Sequence, residues 1–223
     1  MRMVIVLVAA LLAACTGIGA SPTPEALPAC PTEGPTETGA QATLTDADRA
    51  VVEVHSESGN IDGQFVIELH GDEAPLATAN FVSLAECGFY DDISFHRVLT
   101  GFVAQAGDPQ TKENRGDFAG LGTGGPPGDY QFEIEPPAEG LNYDPYVVSM
   151  ANAGQANTNG SQFFINLADL DDRLPRDYTI FGTVVEGTDL IDAIGQVPVN
   201  DSRIGVPLDP VIIDSIRVEA SSD

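Results

Sequence analysis

Several residue types are scarce in this chain of 223 residues, and each shortage argues against a class of protein. The sequence has 9 basic residues against 34 acidic ones, which gives a formal net charge of −25. A surface of that sign repels phosphate backbones, so we expect no binding to nucleic acid. Lys112 is the single lysine, and tryptophan is absent. The acidic excess predicts a solvated, soluble surface, with adaptation to a salty habitat as the open alternative.

The chain also lacks an apolar run of the roughly 20 residues that a membrane-spanning helix needs. Its main apolar run extends from Met3 to Leu12, directly after Arg2. A run of this length is typical of the central region of a secretory signal peptide. The block Leu12-Ala13-Ala14-Cys15 resembles the bacterial lipobox, which implies cleavage before Cys15 and lipidation of its thiol. An ordinary secretory signal with an incidental cysteine is the alternative.

Cysteine is rare as well, with three residues in all. If Cys15 is lipidated, Cys30 and Cys87 remain, in a compartment that favours disulfides if it is oxidising. They either form a bridge that ties the N-terminal segment to the folded domain or stay as two free thiols. The sequence leaves both possibilities open.

The usual signatures of metal and cofactor sites are missing too. His55, His70 and His96 have no metal-ligand spacing with one another or with the cysteines, so we predict no metal site. The glycine-rich run 120–125 is followed by Pro126-Pro127, so no helix can begin there to hold a pyrophosphate. We therefore predict no cofactor.

Composition divides the chain into three parts. Residues 1–14 form the predicted lipoprotein signal peptide, residues 15–48 a flexible linker rich in Pro, Thr, Gly and Glu, and residues 49–223 the folded domain. Within that domain, alternating β-branched residues predict a hairpin, and Pro75 begins a helical pattern that ends near Gly88. Short strands are predicted at 50–56, 64–70, 93–99, 102–107, 130–134, 147–151, 161–167, 179–185 and 211–218, with a second helix near 189–194. This pattern favours an antiparallel barrel closed at its ends by helices.

Two segments carry the most specific signal. Residues 94–108 read SFHRVLTGFVAQAGD, and residues 149–165 read SMANAGQANTNGSQFFI. Together they resemble the two signature segments of the cyclophilins, which are peptidyl-prolyl cis-trans isomerases. Shorter matches occur at Ala79-Asn80-Phe81 and at Tyr178-Thr179-Ile180-Phe181-Gly182, so the resemblance covers roughly residues 50–220. It implies a mainly β fold, a closed eight-stranded antiparallel β-barrel capped by two α-helices.

The resemblance also implies a reaction and a site. Rotation about a peptide bond meets a barrier of about 18–20 kcal/mol, and neither a nucleophile nor a transferred proton is required. An apolar slot for the proline ring and a cationic donor to the twisted amide suffice. By resemblance Arg97 is that catalytic donor. The implied substrate-binding residues are Phe102, Val103, Phe164 and Leu174 in the proline pocket, Gln105 and Gln162 as positioning residues, and Ala151, Asn152 and Tyr178 along the groove, with the backbone of Asn152 holding the peptide extended.

Alternation along the strands supports this assignment. Gln162 and Phe164 share one face, whereas Ser161, Phe163 and Ile165 point into the barrel. His96 alternates away from Arg97, and we assign it to structure.

The sequence departs from the family pattern in three places. Eukaryotic cyclophilins commonly have a tryptophan at the groove edge, near the position of Arg173, so we expect weak binding of cyclosporin-like cyclic peptides. The loop 154–158 has one residue more than the commonest form of this loop in the family. The segment 110–120 is longer than the minimal family loop. It is either a tolerated insertion or a segment that affects substrate access, and the sequence leaves both possibilities open.

The expected activity is acceleration of the folding of exported proteins by a monomeric isomerase. Its partners would be proline-containing peptides and unfolded exported proteins, and a lipid anchor at Cys15 would tether the domain to the extracytoplasmic side of a bacterial cell envelope. A non-catalytic proline-peptide-binding chaperone module is the alternative, and a structural surface protein fits less well.

Overall fold

Eight antiparallel strands form one sheet in the computed structural model, which describes residues 26–44, 47–115 and 120–220. The sequence predictions for residues 1–14 and Cys15 lie outside the described residues. The order of the strands in the sheet is β3-β4-β6-β5-β7-β2-β1-β8. The strands are β1 Arg49–Ser56, β2 Asp62–Leu69, β3 Arg97–Leu99, β4 Val103–Ala106, β5 Val147–Met150, β6 Phe163–Asn166, β7 Ile180–Glu186 and β8 Val211–Glu219.

The sheet is strongly curled and encloses the main hydrophobic core. Inward-facing residues alternate along the strands, so that Val52, Val54, Phe65 and Ile67 are buried together in β1 and β2. This confirms a mainly β fold of eight antiparallel strands and the predicted hairpin, in which β1 pairs with β2.

The two edges of the sheet approach each other just before β3. One isolated bridge joins Ser94 to Ile212 of β8, and the Phe95 amide donates to the Val211 carbonyl at 2.8 Å. These few bonds do not extend the ladder from β3 itself to β8. We therefore describe a strongly curled half-barrel, and the fully closed barrel stays a prediction.

Two helices lie where the sequence predicts them. Helix α2, Pro75–Glu86, packs against β7 and β8, and helix α3, Thr188–Ile194, packs against β2. Helix α2 has no side-chain cap from its own N-cap residue. The Glu135 carboxylate supplies one instead, because it accepts the amides of Leu76 and Ala77 at 2.9 Å each.

The predicted flexible linker contains structure in its described part. Helix α1, Glu37–Thr43, packs against α2 with Ala40 fully buried, and a disulfide joins Cys30 to Cys87 at a Cα–Cα distance of 5.1 Å. A Cβ on Gly34 would lie 2.4 Å from the Gln131 carbonyl oxygen, so this segment lies close against the domain. The sequence predicts an extended, flexible linker over residues 15–48. Its described part differs because burial of Ala40 and the disulfide hold it against the domain, and neither contact can be read from composition.

The strand predicted at residues 130–134 is wrong. The segment forms only one isolated bridge, between Phe132 and Asn159, and its polar groups are bound outside any ladder. The Asn159 side chain donates to the Glu133 carbonyl, and the Glu135 amide donates to the Thr179 hydroxyl. The alternating apolar residues Tyr130 and Phe132 are buried, which explains the strand-like pattern.

Candidate active-site groove

A continuous series of polar contacts crosses β3, β4 and the start of β6. Arg97 and Gln105 are directly opposite each other in the β3–β4 ladder. The Arg97 Nη1 donates to Gln105 Oε1 at 3.4 Å, and Gln105 Nε2 donates to Gln162 Oε1 at 2.9 Å. Gln162 Nε2 in turn donates to the Gly124 carbonyl at 2.8 Å. These bonds connect the guanidinium through the two glutamines to the glycine-rich run.

A small apolar cluster, separate from the main core, lies beside this series. It gathers six of the residues that the resemblance assigns to the substrate: Phe102, Val103, Ala151, Phe164, Leu174 and Tyr178. Val103 and Phe164 are buried, while Phe102, Leu174 and Tyr178 remain partly exposed. The rings of Phe164 and Tyr178 meet edge to face, with their centroids 5.4 Å apart. The arrangement gives an apolar surface whose members Phe102, Leu174 and Tyr178 are accessible from solvent.

Strand alternation predicts the two faces of β6 correctly. Phe163 and Ile165 are fully buried in the main core, whereas Phe164 belongs to the separate cluster. The Ser161 hydroxyl also points inward, where it donates to the Gly107 carbonyl at 2.7 Å.

Tyr143 packs within the apolar cluster and supports it, and the sequence analysis did not identify this residue. This residue is fully buried in the apolar cluster. Its hydroxyl is bound by the Tyr178 amide at 3.2 Å and contacts the carbonyls of Pro175 and Tyr178 at 3.1 and 2.9 Å. It therefore holds the segment that carries Leu174 and Tyr178. Nothing in the local sequence around residue 143 distinguishes it from an ordinary loop tyrosine.

Asp108 organises the glycine-rich run beside the groove. Its fully buried carboxylate accepts the amides of Gln110, Gly122 and Gly124 at 2.9, 2.6 and 3.2 Å. A Cβ on Gly124 would lie 2.2 Å from an Asp108 oxygen, so only glycine fits there. The run excluded as a nucleotide loop thus supplies the carbonyl that binds Gln162. Four closely spaced glycines downstream of an aspartate that follows a strand were the available signal.

A cleft of about 430 Å³ extends the groove between the glycine-rich run and the segment after β5. Ala151 and Asn152 form part of its wall, together with Gln105 and Gln162. The Asn152 side chain is engaged with the Asp177 carbonyl and the Gly154 amide. No described residue forms a hydrogen bond with the backbone amide or carbonyl of Asn152. These two groups are therefore free to pair with an extended peptide, as the resemblance implies.

Burial lowers the pKa of both adjacent residues, Arg97 and His96. Desolvation lowers the pKa of Arg97, with the nearby Tyr178 acting in the opposite direction. For His96, burial lowers the pKa to about 4, the Asp108 charge opposing and the Arg97 charge adding to this shift. Neither ring nitrogen of His96 has a hydrogen-bond partner among the described residues. His96 is therefore neutral at pH 7 and lies in the interior, in agreement with its structural assignment.

The described residues include neither a metal-binding cluster nor a membrane-spanning helix. No group of three or more His, Cys, Asp or Glu side chains in ranges 26–44, 47–115 and 120–220 is arranged to hold a metal ion. Within the same ranges no helix is long and apolar enough to cross a membrane.

Comparison with known proteins identifies the family to which this groove belongs. The family model for cyclophilin type peptidyl-prolyl cis-trans isomerase/CLD matches residues 51–218. The chain belongs to the cyclophilin-type isomerase family. It is 37% identical to peptidyl-prolyl cis-trans isomerase A of Mycobacterium tuberculosis over 187 residues, covering 76% of this chain and 92% of that protein.

Two further matches are a longer curated relative and a solved structure. The chain is 39% identical over 169 residues to peptidyl-prolyl cis-trans isomerase 9 of Schizosaccharomyces pombe; the match covers 74% of this chain and 24% of that longer protein. A crystal structure of a Cryptosporidium parvum cyclophilin-type isomerase, obtained in the presence of the dipeptide Ala-Pro, superposes with a TM-score of 0.63. It is 32% identical, and the match covers 77% of this chain and 99% of that one.

Proposed function

We propose that this cyclophilin domain rotates X-Pro peptide bonds with Arg97 as the catalytic residue. The main support is the position of the Arg97 guanidinium. It is bound by Gln105 and lies 5.9 Å from the centre of the Phe102 ring, at the edge of the apolar cluster. A proline ring in that pocket brings its own amide next to the cation. The same geometry lets a twisted amide, whose nitrogen becomes pyramidal and basic, accept an N–H from Arg97.

The chemistry requires no proton transfer. An arginine keeps its charge and presents a rigid fork of N–H donors, so it stabilises the twisted amide by hydrogen bonding. The donor is already in place before the bond turns, because Gln105 and Gln162 hold it to the glycine-rich run. A fixed donor favours the twisted state over either planar isomer, which is the condition for a faster rotation.

Exchange between the cis and trans signals of an Ala-Pro peptide, followed by NMR, tests this function. We expect catalytic amounts of the protein to accelerate exchange, and Arg97→Ala to remove the acceleration while the peptide still binds. Binding by the wild-type protein without faster exchange would contradict the proposal and favour the non-catalytic proline-peptide-binding chaperone.

We propose further that the domain acts outside the cytoplasm as a bacterial lipoprotein. The Cys30–Cys87 disulfide supports this location, because structural disulfides persist mainly in oxidising compartments. Cys15 precedes Cys30 by 15 residues, which span at most about 50 Å when fully extended. A lipid on Cys15 would thus hold the domain close to a membrane of the cell envelope.

Mass spectrometry of the mature N-terminus tests the anchor. We expect a chain that begins at Cys15 and carries acyl groups, and a Cys15→Ser variant that is not acylated and leaves the membrane fraction. An unmodified N-terminus elsewhere in the first 25 residues would contradict the lipoprotein assignment.

The proposed partners are unfolded exported proteins, bound through their proline-containing segments by a monomer. The large hydrophobic residues exposed in the described ranges are Leu27, Val185 and Leu208, in separate segments of the chain. Three such residues are fewer than the continuous apolar patch of an obligate interface requires. Sedimentation of the purified domain as a dimer would contradict this proposal.

Finally, we propose that the sheet is closed as a barrel in solution. The Ser94–Ile212 bridge and the 2.8 Å bond from the Ile213 amide to the Ile93 carbonyl support closure next to Arg97. Slow hydrogen exchange at the amides of Phe95 and Ile213 is the expected result, and exchange as fast as in a loop would contradict it.

A further inference from the structure

Arg173 lies against Phe102, in the apolar part of the proposed groove. Its guanidinium carbon lies 4.8 Å from the centroid of the Phe102 ring, and its Nη1 donates to the Gly101 carbonyl at 2.9 Å. These two contacts fix the orientation of an otherwise exposed side chain. A series of contacts therefore runs from Gly124 through Gln162, Gln105 and Arg97 to the Phe102 ring, which Arg173 also contacts.

Arg97 and Arg173 differ from the other described arginines because they form no ion pair. Arg49, Arg115, Arg176, Arg203 and Arg217 each form an ion pair with a carboxylate. The two other arginines in the described part of the chain, Arg97 and Arg173, have no carboxylate oxygen of a described residue within 4.0 Å. Both lie at the same aromatic ring.

This isolation is not caused by a lack of acidic neighbours in the sequence. Three aspartates, at positions 169, 171 and 172, come shortly before Arg173. Asp171 pairs with Arg176 and accepts the Tyr143 amide, and Asp169 accepts the Asp171 amide. In a protein with a net charge of −25, two cations without an acidic partner thus coincide at the proposed substrate groove.

We propose that Arg173 is a specificity-determining residue that favours prolyl peptides with a carboxylate side chain next to the proline. A proline bound against Phe102 brings a flanking residue within reach of the guanidinium, whose N–H fork suits a carboxylate. This inference rests on the proposed isomerase function. The negative charge of the whole domain repels acidic peptides at long range, but salt screens that repulsion, whereas contact with Arg173 acts at short range.

Two series of blocked peptides test the inference at about 0.15 M salt. One series varies the residue directly after proline and the other the residue directly before it, each with Glu, Gln or Lys, and NMR exchange gives kcat/KM without a coupled protease. In one of the two series we expect the wild-type protein to favour Glu over Gln about fivefold, and Gln over Lys. We expect Arg173→Gln to reduce the Glu preference to within twofold and Arg173→Lys to retain most of it.

Arg217→Gln is the matched control, because it removes the same charge from an exposed residue on β8 that pairs with Glu53 away from the groove. It should keep the wild-type preference. Equal rates for Glu and Gln peptides in both series, or a preference that survives Arg173→Gln, would overturn the inference and leave the isomerase function intact. If the wild-type protein does not accelerate even the Gln peptides, the proposed function fails, and this inference fails with it.

Discussion

Arg97 and Gln105 face each other across the β3–β4 ladder, and the amide oxygen of Gln105 accepts a hydrogen bond from the guanidinium at 3.4 Å. Gln105 is therefore placed to orient Arg97. Its own amide nitrogen is anchored by Gln162, so the orientation of the cation depends on both glutamines.

Gln105→Leu should lower kcat/KM for an X-Pro peptide about tenfold, because Arg97 loses the acceptor that orients it. Stability should change little, since the side chain is only partly buried. Peptide isomerisation and thermal unfolding measure the two effects. Gln64→Leu, at an exposed position of β2, is the control and should leave the rate unchanged. A Gln105→Leu enzyme with the wild-type rate would show that Arg97 is oriented without Gln105.

Asp108→Asn should loosen the glycine-rich run. The buried carboxylate accepts three backbone amides, and an asparagine in its place turns an N–H₂ group toward some of these donors. We expect a loss of about 1.5–3 kcal/mol in the free energy of unfolding and faster hydrogen exchange at Gly122 and Gly124. Asp129→Asn, at an exposed position, should have neither effect. Unchanged exchange in Asp108→Asn would contradict this role.

His96 should make the domain less stable in acid. Burial lowers its pKa from 6.5 to about 4, so between these values the unfolded chain binds a proton that the folded protein does not. Its contribution is therefore present above pH 6.5 and is lost as the pH falls toward 4. From pH 7.5 to 4.5 this loss amounts to about 2–3 kcal/mol.

Urea unfolding of His96→Leu at both pH values measures that contribution. The variant should lose about 2–3 kcal/mol less than the wild-type protein over this interval, while Gln64→Leu, at an exposed position of β2, should retain the wild-type loss. Identical pH dependence for His96→Leu and the wild-type protein would exclude His96 as the source.

Cys30→Ser should release the N-terminal segment without abolishing the isomerase. The bridge joins residues 57 positions apart, and loss of a loop-closing disulfide typically costs about 2–4 kcal/mol. We expect a lower unfolding midpoint, faster proteolysis near residues 30–36, and a rate within about twofold of wild type, because neither cysteine touches the groove residues. Wild-type protein treated with a reductant should behave in the same way. A Cys30→Ser variant as stable as the wild-type protein would contradict this role for the bridge.

Much of the fold could be predicted because it depends on local patterns. The hairpin, helix α2 and the two faces of β6 follow from alternation, from Pro75 and from glycine punctuation. Residues 130–134 misled the same reasoning, since burial of Tyr130 and Phe132 in a loop produces a strand-like alternation. Helix α1 was missed because its stability depends on packing against α2, a long-range contact that composition does not reveal.

Much of the candidate site could also be predicted, but from motif resemblance rather than from local patterns. Arg97, Phe102, Gln105, Gln162 and Phe164 lie in two motifs whose resemblance to the cyclophilins is specific. Tyr143 and Asp108 act through backbone groups of distant loops, which no short motif encodes. The isolation of Arg173 from carboxylates, despite three aspartates nearby in the sequence, likewise depends on the folded arrangement.

Catalysis of the rotation by the Arg97 guanidinium can be tested with one set of variants. The measurement is kcat/KM for cis-to-trans isomerisation of an Ala-Pro peptide by the wild-type protein, Arg97→Ala and Arg97→Lys, each shown to be folded. We predict a loss of about 10²–10³-fold for Arg97→Ala and an intermediate rate for Arg97→Lys, because lysine keeps the charge but lacks the rigid fork. A rate for Arg97→Ala within twofold of the wild-type value would exclude Arg97 as the catalytic residue.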